Sequence, residues 1–270
     1  MTPAHGASCD DKTKMKVKVL LVQQDIVWGS PAANIERLES LLSDAPGADL
    51  VVLPEMFTTG FSTAPGEFSE EDPPRGLIWM REFASRNNCA VAGSVACREG
   101  DKLMNRLFFV TPQSEEHYDK RHLFKYGGEG RTFSSGSHRK VVEWRGVRFL
   151  LTVCYDLRFP VWSRNRGDYD AIICVANWPV PRQLAWDTLT RARAIENQCY
   201  FVAVNRCGTD PLCEYDGNTV LINPYGEYVA SCPLGRESYA LGEIDMDLLS
   251  SYCSKFPVLD DEDDFALHEE

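Results

Sequence analysis

The stretch Val147-Arg148-Phe149-Leu150-Leu151-Thr152-Val153, followed by Cys154-Tyr155-Asp156-Leu157-Arg158-Phe159-Pro160, decides the fold. Its first seven residues form an apolar, β-branched-rich run, the pattern of a buried strand. Charge, aromatic rings and a proline then arrive together and end it. Open α/β sheets place their ligands at the carboxyl ends of such strands, and Cys154 stands at that end. A thiol held there with a base and a cation nearby is a nucleophile. Otherwise a free cysteine is a small buried hydrophobe, which is the reading for the other nine of the chain's 10 cysteines.

Outward from this strand, strand and helix alternate. Strands are expected at 16–22, 49–53, 89–96, 171–176 and 200–205. Helices are expected at 31–42, with Ser30 as N-cap and Pro31 at the first helical position, and at 76–87, 159–165 and 182–197. A final short helix is expected at 245–251. Hairpin pairs are expected at 105–111 with 116–118, and at 139–144 with 147–153 across Arg145-Gly146. A loop fills 120–138, and a late strand series occupies 219–223, 228–231 and 238–243. Strands apolar on both faces lie between layers, and the hairpins break a purely parallel pattern. The expected fold class is therefore α/β: a four-layer α-β-β-α sandwich with two mixed β-sheets between helical layers. Residues 15–270 read as a single domain, because no repeat, low-complexity linker or composition shift divides them. The polar residues 1–14 read as a disordered N-terminal extension.

Composition excludes several classes of function. The 270 residues are 44% hydrophobic and 25% charged, as in ordinary globular proteins. Forty carboxylates against 28 Lys plus Arg give a net charge of -12, which disfavours nucleic acid and anionic membranes as partners. Part of the excess lies in Asp260-Asp261-Glu262-Asp263-Asp264, expected as a solvated tail or terminal loop. The cysteines are irregularly spaced, with no C-x-x-C or H-E-x-x-H, so neither a disulfide scaffold nor a metal is expected. No segment has the apolar core of a secretory signal, so a reducing, cytoplasmic compartment and free thiols are expected. No run approaches the roughly 20 apolar residues of a membrane span.

Three reactive groups follow strands: Glu55 after Leu50-Val51-Val52-Leu53-Pro54, Lys120 after His117-Tyr118-Asp119, and Cys154. Attack on an amide carbonyl needs a nucleophilic sulfur, a group that takes the thiol proton and returns it to the leaving amine, and a positive group for the developing oxyanion. Cysteine, glutamate and lysine are those three types. Spacing alone does not bring them together.

Leu53-Pro54-Glu55-Met56-Phe57, Tyr118-Asp119-Lys120-Arg121-His122-Leu123-Phe124 and Thr152-Val153-Cys154-Tyr155-Asp156-Leu157-Arg158-Phe159-Pro160 resemble, in order and separation, the three signature blocks of the nitrilase superfamily, the carbon-nitrogen hydrolases. The resemblance runs from about residue 17 to 247. It implies Glu55 as general base and then acid, Lys120 as oxyanion stabiliser, Cys154 as nucleophile and the Tyr155 backbone N–H as a second oxyanion donor. Glu129, after Gly128, matches a second family glutamate that orients the lysine and the substrate; the alternative is an exposed loop charge. The block 193–197 also matches, though an Arg193–Glu196 ion pair at i,i+3 explains it. Tyr215-Asp216-Gly217-Asn218-Thr219 carries threonine where the family has serine, and the hydroxyl survives.

Residues 54–61 and 159–165 look like the omega-amidase branch of that superfamily. The resemblance implies hydrolysis of the terminal amide of 2-oxo dicarboxylic acid monoamides, such as 2-oxoglutaramate and 2-oxosuccinamate, through a cysteine thioester, with no cofactor. Partners would be the small amide, water and a second copy of the chain in a homodimer or larger homo-oligomer. Candidate substrate-binding residues are Arg158, Trp178 and Phe61. Arg158 would hold the substrate carboxylate, or else pair with Asp156; Asn177-Trp178 would wall the pocket or simply pack. Rival readings are the same chemistry on another aliphatic amide or an N-carbamoyl compound, a non-catalytic protein that kept the fold, and a redox-sensing thiol. The last needs a resolving cysteine near Cys154; the local segment has none, though a distant one can fold close.

Overall fold

The computed structural model describes residues 15–63, 73–263 and 265–267. The N-terminal extension expected at 1–14 and Asp264 of the acidic run lie outside the described residues.

The first sheet takes β1 (Lys16–Gln23), β2 (Leu50–Val52), β3 (Ala90–Glu99), β4 (Lys102–Val110) and β5 (Glu115–Asp119), and recruits the last strand of the chain onto its edge beside β1. The second takes β6 (Val141–Trp144), β7 (Val147–Val153), β8 (Ala171–Ala176), β9 (Tyr200–Asn205), β12 (Val220–Ile222) and β13 (Tyr228–Ser231). Between β9 and β12 lies a small hairpin, β10 (Cys207–Thr209) with β11 (Glu214–Asp216), and β14 (Ser238–Asp245) is the strand lent to the first sheet. In each sheet three central strands run parallel and antiparallel strands close the edges.

Period-2 alternation builds the layers. Val17, Val19 and Leu21 of β1 meet Leu151 and Val153 of β7 in one core between the sheets. The intervening Leu20 and Val22 face outward, where Leu38 of α1 (Pro31–Leu42) and Met80 of α2 (Arg75–Asn87) cover them. Leu150 and Ile172 of the second sheet pack with Trp186 and Ala194, contributed by a later helix. That helix is α4 (Gln183–Glu196); α3 (Pro160–Ser163) and α5 (Met246–Lys255) complete the set. The result is the expected four-layer sandwich. Two-sided burial explains why the central strands are nearly continuous apolar runs: each fully buried aliphatic contributes about 1.5–3 kcal/mol, whichever layer it faces.

Local details sharpen or correct the sequence reading. The β6–β7 turn is Arg145-Gly146, with φ of 47° and 74°, the mirror-image turn that suits a two-residue hairpin. Helix α1 does begin at Pro31, but the Ser30 side chain makes no capping bond. Asn34 ties down that entry instead, accepting from the Val27 N–H at 2.7 Å and donating to the Val27 carbonyl at 2.8 Å. The acidic run is no free tail over its described part: 258–261 form a 3-10 turn, and Glu262 pairs with Arg164 at 3.3 Å. Among the described residues no helix is long and apolar enough to cross a membrane.

The buried cysteines make stability depend on alkaline pH. Burial pushes the thiols of Cys89 and Cys232 up to about 11, and those of Cys174 and Cys207 up to about 12. In the unfolded chain a thiol ionises near about 8.5. The folded state keeps protons that the unfolded state releases, so this stability is complete below that value and is lost as pH climbs toward 11–12. Urea unfolding at pH 7.5 and 9.5 should show a loss of about 1 kcal/mol per buried thiol at the higher pH; an unchanged midpoint would contradict it.

Candidate active site

The reactive groups sit where strands end. Glu55 follows β2 and Lys120 follows β5 on the first sheet, while Cys154 follows β7 and Asn177 follows β8 on the second. Glu55, Lys120 and Cys154 line one cavity of about 450 Å³. The structure thus brings together the three groups that sequence spacing alone left apart.

Glu55 and Lys120 are fully buried, and Glu129 lies buried behind them. The Lys120 Nζ donates to Glu55 Oε1 at 2.9 Å and to both Glu129 oxygens at 3.0 Å. Glu129 is therefore no exposed loop charge. It does not line the cavity; it anchors the lysine and accepts from the Phe124 N–H. Asn105 of β4 donates to Glu55 at 2.8 Å and to Glu129 at 3.1 Å, bridging the two carboxylates. The second Glu55 oxygen accepts from the Asn177 N–H at 2.8 Å. Every Glu55 lone pair that faces the protein is thereby oriented, which fixes the carboxylate against rotation.

Charge in this cluster follows from its surroundings. Burial opposes the Lys120 charge, but Glu129 and then Glu55 overcome it and hold the ammonium's pKa well above the usual lysine range. Lys120 is a permanent cation. Burial, reinforced by Glu55, drives the Cys154 thiol well above its ordinary value, against the pull of Lys120. The resting sulfur therefore carries its proton, and any attack by it would need a base to take that proton.

Cys154 adopts φ of +47°, the left-handed region, as the chain leaves β7 for a 3-10 turn over Cys154–Arg158. A non-glycine residue there costs on the order of 1 kcal/mol, and Asp156 holds the turn. Asp156 Oδ2 accepts from the Val153 N–H at 2.9 Å and the Tyr118 hydroxyl at 2.8 Å. Its Oδ1 accepts from the His122 N–H at 2.9 Å and contacts the His122 ring nitrogen Nδ1 at 2.8 Å. Tyr118 and His122 flank Lys120, so one buried carboxylate joins the Cys154 turn to the lysine segment. Arg158 does not pair with Asp156, whose oxygens are already taken. The Arg193–Glu196 pair forms at 2.8 Å, and Arg193 also reaches the Leu157 carbonyl at 2.8 Å, bracing the same turn from α4.

The expected substrate-binding residues all reach the cavity. The Arg158 guanidinium lies over the Trp178 ring at 4.9 Å, and among the described residues no carboxylate pairs with it. Phe61 sits 5.2 Å from the Lys120 ammonium. Trp178 is packed and walling at once: Asn205 Oδ1 accepts from its N–H at 2.8 Å, and Asn205 Nδ2 donates to its carbonyl at 2.9 Å. The Thr219 hydroxyl clasps the Asn205 backbone, accepting from its N–H and donating to its carbonyl at 2.9 Å each, the role a serine hydroxyl would fill.

Sequence reasoning missed several residues. Asn105 lies mid-strand with nothing local to mark it, and Asp156 was weighed only as a partner for Arg158. Arg182 also faces the cavity, its guanidinium 5.1 Å from the Phe124 ring; the expected helix start at 182 was its only signal. Arg206 is a buried cation that draws Ile26 and Thr209 carbonyls together at 3.1 and 3.0 Å, pinning the β10–β11 hairpin as another wall. A distant cysteine does fold close to Cys154: Cys174 of β8, whose thiol meets the Thr152 hydroxyl and the Cys154 backbone. Burial pushes that thiol up to about 12, so it remains protonated and a poor resolving partner. Among the described residues no group of three or more His, Cys, Asp or Glu is placed to hold a metal ion.

The sequence model of the carbon-nitrogen hydrolase family matches residues 18–253. The chain is 44% identical to omega-amidase YafV of Escherichia coli (strain K12) over 255 residues, covering 93% of this chain and 98% of that protein. It is 35% identical to 2-oxoglutaramate amidase of Bacillus subtilis (strain 168), covering 92% and 98%. Its structure matches that of XC1258 from Xanthomonas campestris, a CN-hydrolase superfamily protein with an arsenic adduct in the active site. The TM-score is 0.90 at 39% identity, over 94% of this chain and 99% of that one.

Proposed function

The chain belongs to the carbon-nitrogen hydrolase family, and from that premise we propose that it is a thiol amidase of 2-oxo dicarboxylic acid monoamides, with 2-oxoglutaramate and 2-oxosuccinamate as substrates. The observation that carries the reading is a single cavity lined both by Glu55, Lys120 and Cys154 and by the guanidinium groups of Arg158 and Arg182. The relatives named omega-amidase and 2-oxoglutaramate amidase support the choice of substrate.

In this mechanism Glu55 takes the Cys154 proton as the sulfur attacks the terminal amide carbon. The negative oxygen that forms is held by Lys120 and by the Tyr155 N–H. Glu55 returns the proton to nitrogen, the C–N bond breaks, and ammonia leaves a thioester. Water then enters, Glu55 takes its proton, and the diacid and thiol are released. Glu129 keeps the lysine ammonium pointed at the oxyanion. Arg158, lying on Trp178, takes the substrate carboxylate through charge-assisted hydrogen bonds, and Phe61 packs beside the chain carbons. The single domain of 15–270, a cytoplasmic location and a homodimer or larger homo-oligomer belong to the same proposal. Exposed Val161 of α3 and Leu184 of α4 support the last of these, and light scattering tests it.

A substrate panel assayed for ammonia is the direct test. kcat/KM for 2-oxoglutaramate should exceed that for butyramide, which lacks the carboxylate, and for glutamine, which sets an ammonium against the arginines, by about 10- to 100-fold. Equal turnover would reject the keto-acid substrate, and preference for an N-carbamoyl compound would move the chemistry to that class.

A further inference from the structure

Arg158 and Arg182 are tied to one indole. The Arg158 guanidinium lies over the Trp178 ring at 4.9 Å, while Trp178 Nε1 donates to the Arg182 carbonyl at 2.8 Å. Arg182 ends a 3-10 turn over Val180–Arg182, and Pro179 and Pro181 restrict the short backbone segment that joins it to the ring. Its guanidinium lies over the Phe124 ring at 5.1 Å. Both arginines are half-buried and line the cavity, and among the described residues neither has a carboxylate partner. A 2-oxo acid monoamide brings only one carboxylate to them, so the second cation calls for a separate role.

The head of such a substrate carries the paired oxygens of the carboxylate and, beside them, the oxygen of the ketone. One guanidinium edge offers two parallel N–H groups, which match the carboxylate pair. The ketone oxygen is then left over, and an acceptor stripped of water without gaining a donor is unfavourable. Two neutral donors of the cavity wall are already committed: Trp178 Nε1 to the Arg182 carbonyl, and the Tyr215 hydroxyl to Asp210 Oδ2 at 2.6 Å. We propose that the Arg182 guanidinium donates to the 2-oxo oxygen while Arg158 takes the carboxylate, so that Arg182 sets the preference for a 2-oxo acid amide over the plain acid amide. The inference rests on the keto-acid amidase reading above. Arg158 belongs to the Cys154 turn and Arg182 to the segment that opens α4, so separate parts of the chain read the two groups of the substrate head.

The experiment measures kcat/KM for 2-oxoglutaramate and for glutaramate, its analogue without the ketone, in the parent enzyme, Arg182→Met, Arg182→Gln and Arg158→Met. The ratio of the two values is taken within each preparation, so the amount of folded enzyme cancels. In both Arg182 variants the ratio should fall about 10- to 100-fold from the parent's. In Arg158→Met both substrates should weaken together, with the ratio within about threefold of the parent's. An unchanged ratio in the Arg182 variants overturns the proposal, since Arg182 would then serve the carboxylate or neither group. A ratio that falls in Arg158→Met instead overturns it as well, with the two roles exchanged. A parent that turns over both acids equally overturns it before any variant is made, whereas a parent inert toward both refutes the amidase reading itself.

Discussion

Cys154→Ala should lower ammonia release from 2-oxoglutaramate by on the order of 10⁴-fold or more, while circular dichroism and the urea midpoint stay close to the parent's. Cys154 packs at the margin of both cores, so losing its sulfur removes one small contact and relieves nothing else. Alanine also tolerates the φ of +47° no worse than cysteine does. The activity loss is large because no other group in the cavity replaces the sulfur. Cys174 stays protonated, with burial pushing it up to about 12. Cys213 also lines the cavity, on the β10–β11 hairpin, but Glu55 and Lys120 act electrostatically on Cys154 and not on it. Turnover within tenfold of the parent would mean that the reaction does not pass through Cys154.

Lys120→Met should damage activity and stability together, and the two losses have separate causes. Removing the ammonium takes away an oxyanion donor, expected to lower kcat by about 10²- to 10³-fold. It also leaves Glu55 and Glu129 facing each other without a cation, bridged only by Asn105. Breaking a buried ion pair from one side is unfavourable by about 3–5 kcal/mol. Adding Glu129→Gln to Lys120→Met removes one of the stranded charges, so stability should recover by about 2 kcal/mol while kcat stays low. A double variant as unstable as the single one would show that Lys120 and Glu129 are not energetically coupled.

How much of this was legible in the sequence depended on where the information lay. The strands and long helices were, because burial on both faces writes apolar runs and one-sided burial writes helical periodicity. Glu55, Lys120 and Cys154 were legible as strand-end residues inside recognisable blocks. Ladder ends were less so: the β3–β4 hairpin extends out to Glu99 and Lys102, past its apolar stretch, because backbone pairing continues after side-chain burial stops. The three-residue strands β10 and β11 are too short to show any period. Asn105 and Asp156 were illegible for a different reason. Their contacts join segments far apart in the chain, and one polar residue in an apolar or mixed run carries no sign of which distant donors will claim it.

The site is divided between the two sheets: Glu55 and the Lys120 ammonium follow strands of one, the Cys154 sulfur and Asn177 strands of the other. Neither half performs chemistry alone. Under the proposed mechanism the Cys154 thiol meets its base, Glu55, only when the two sheets pack together. On the proposed mechanism, amidase activity arrives only with the packing of one sheet on the other.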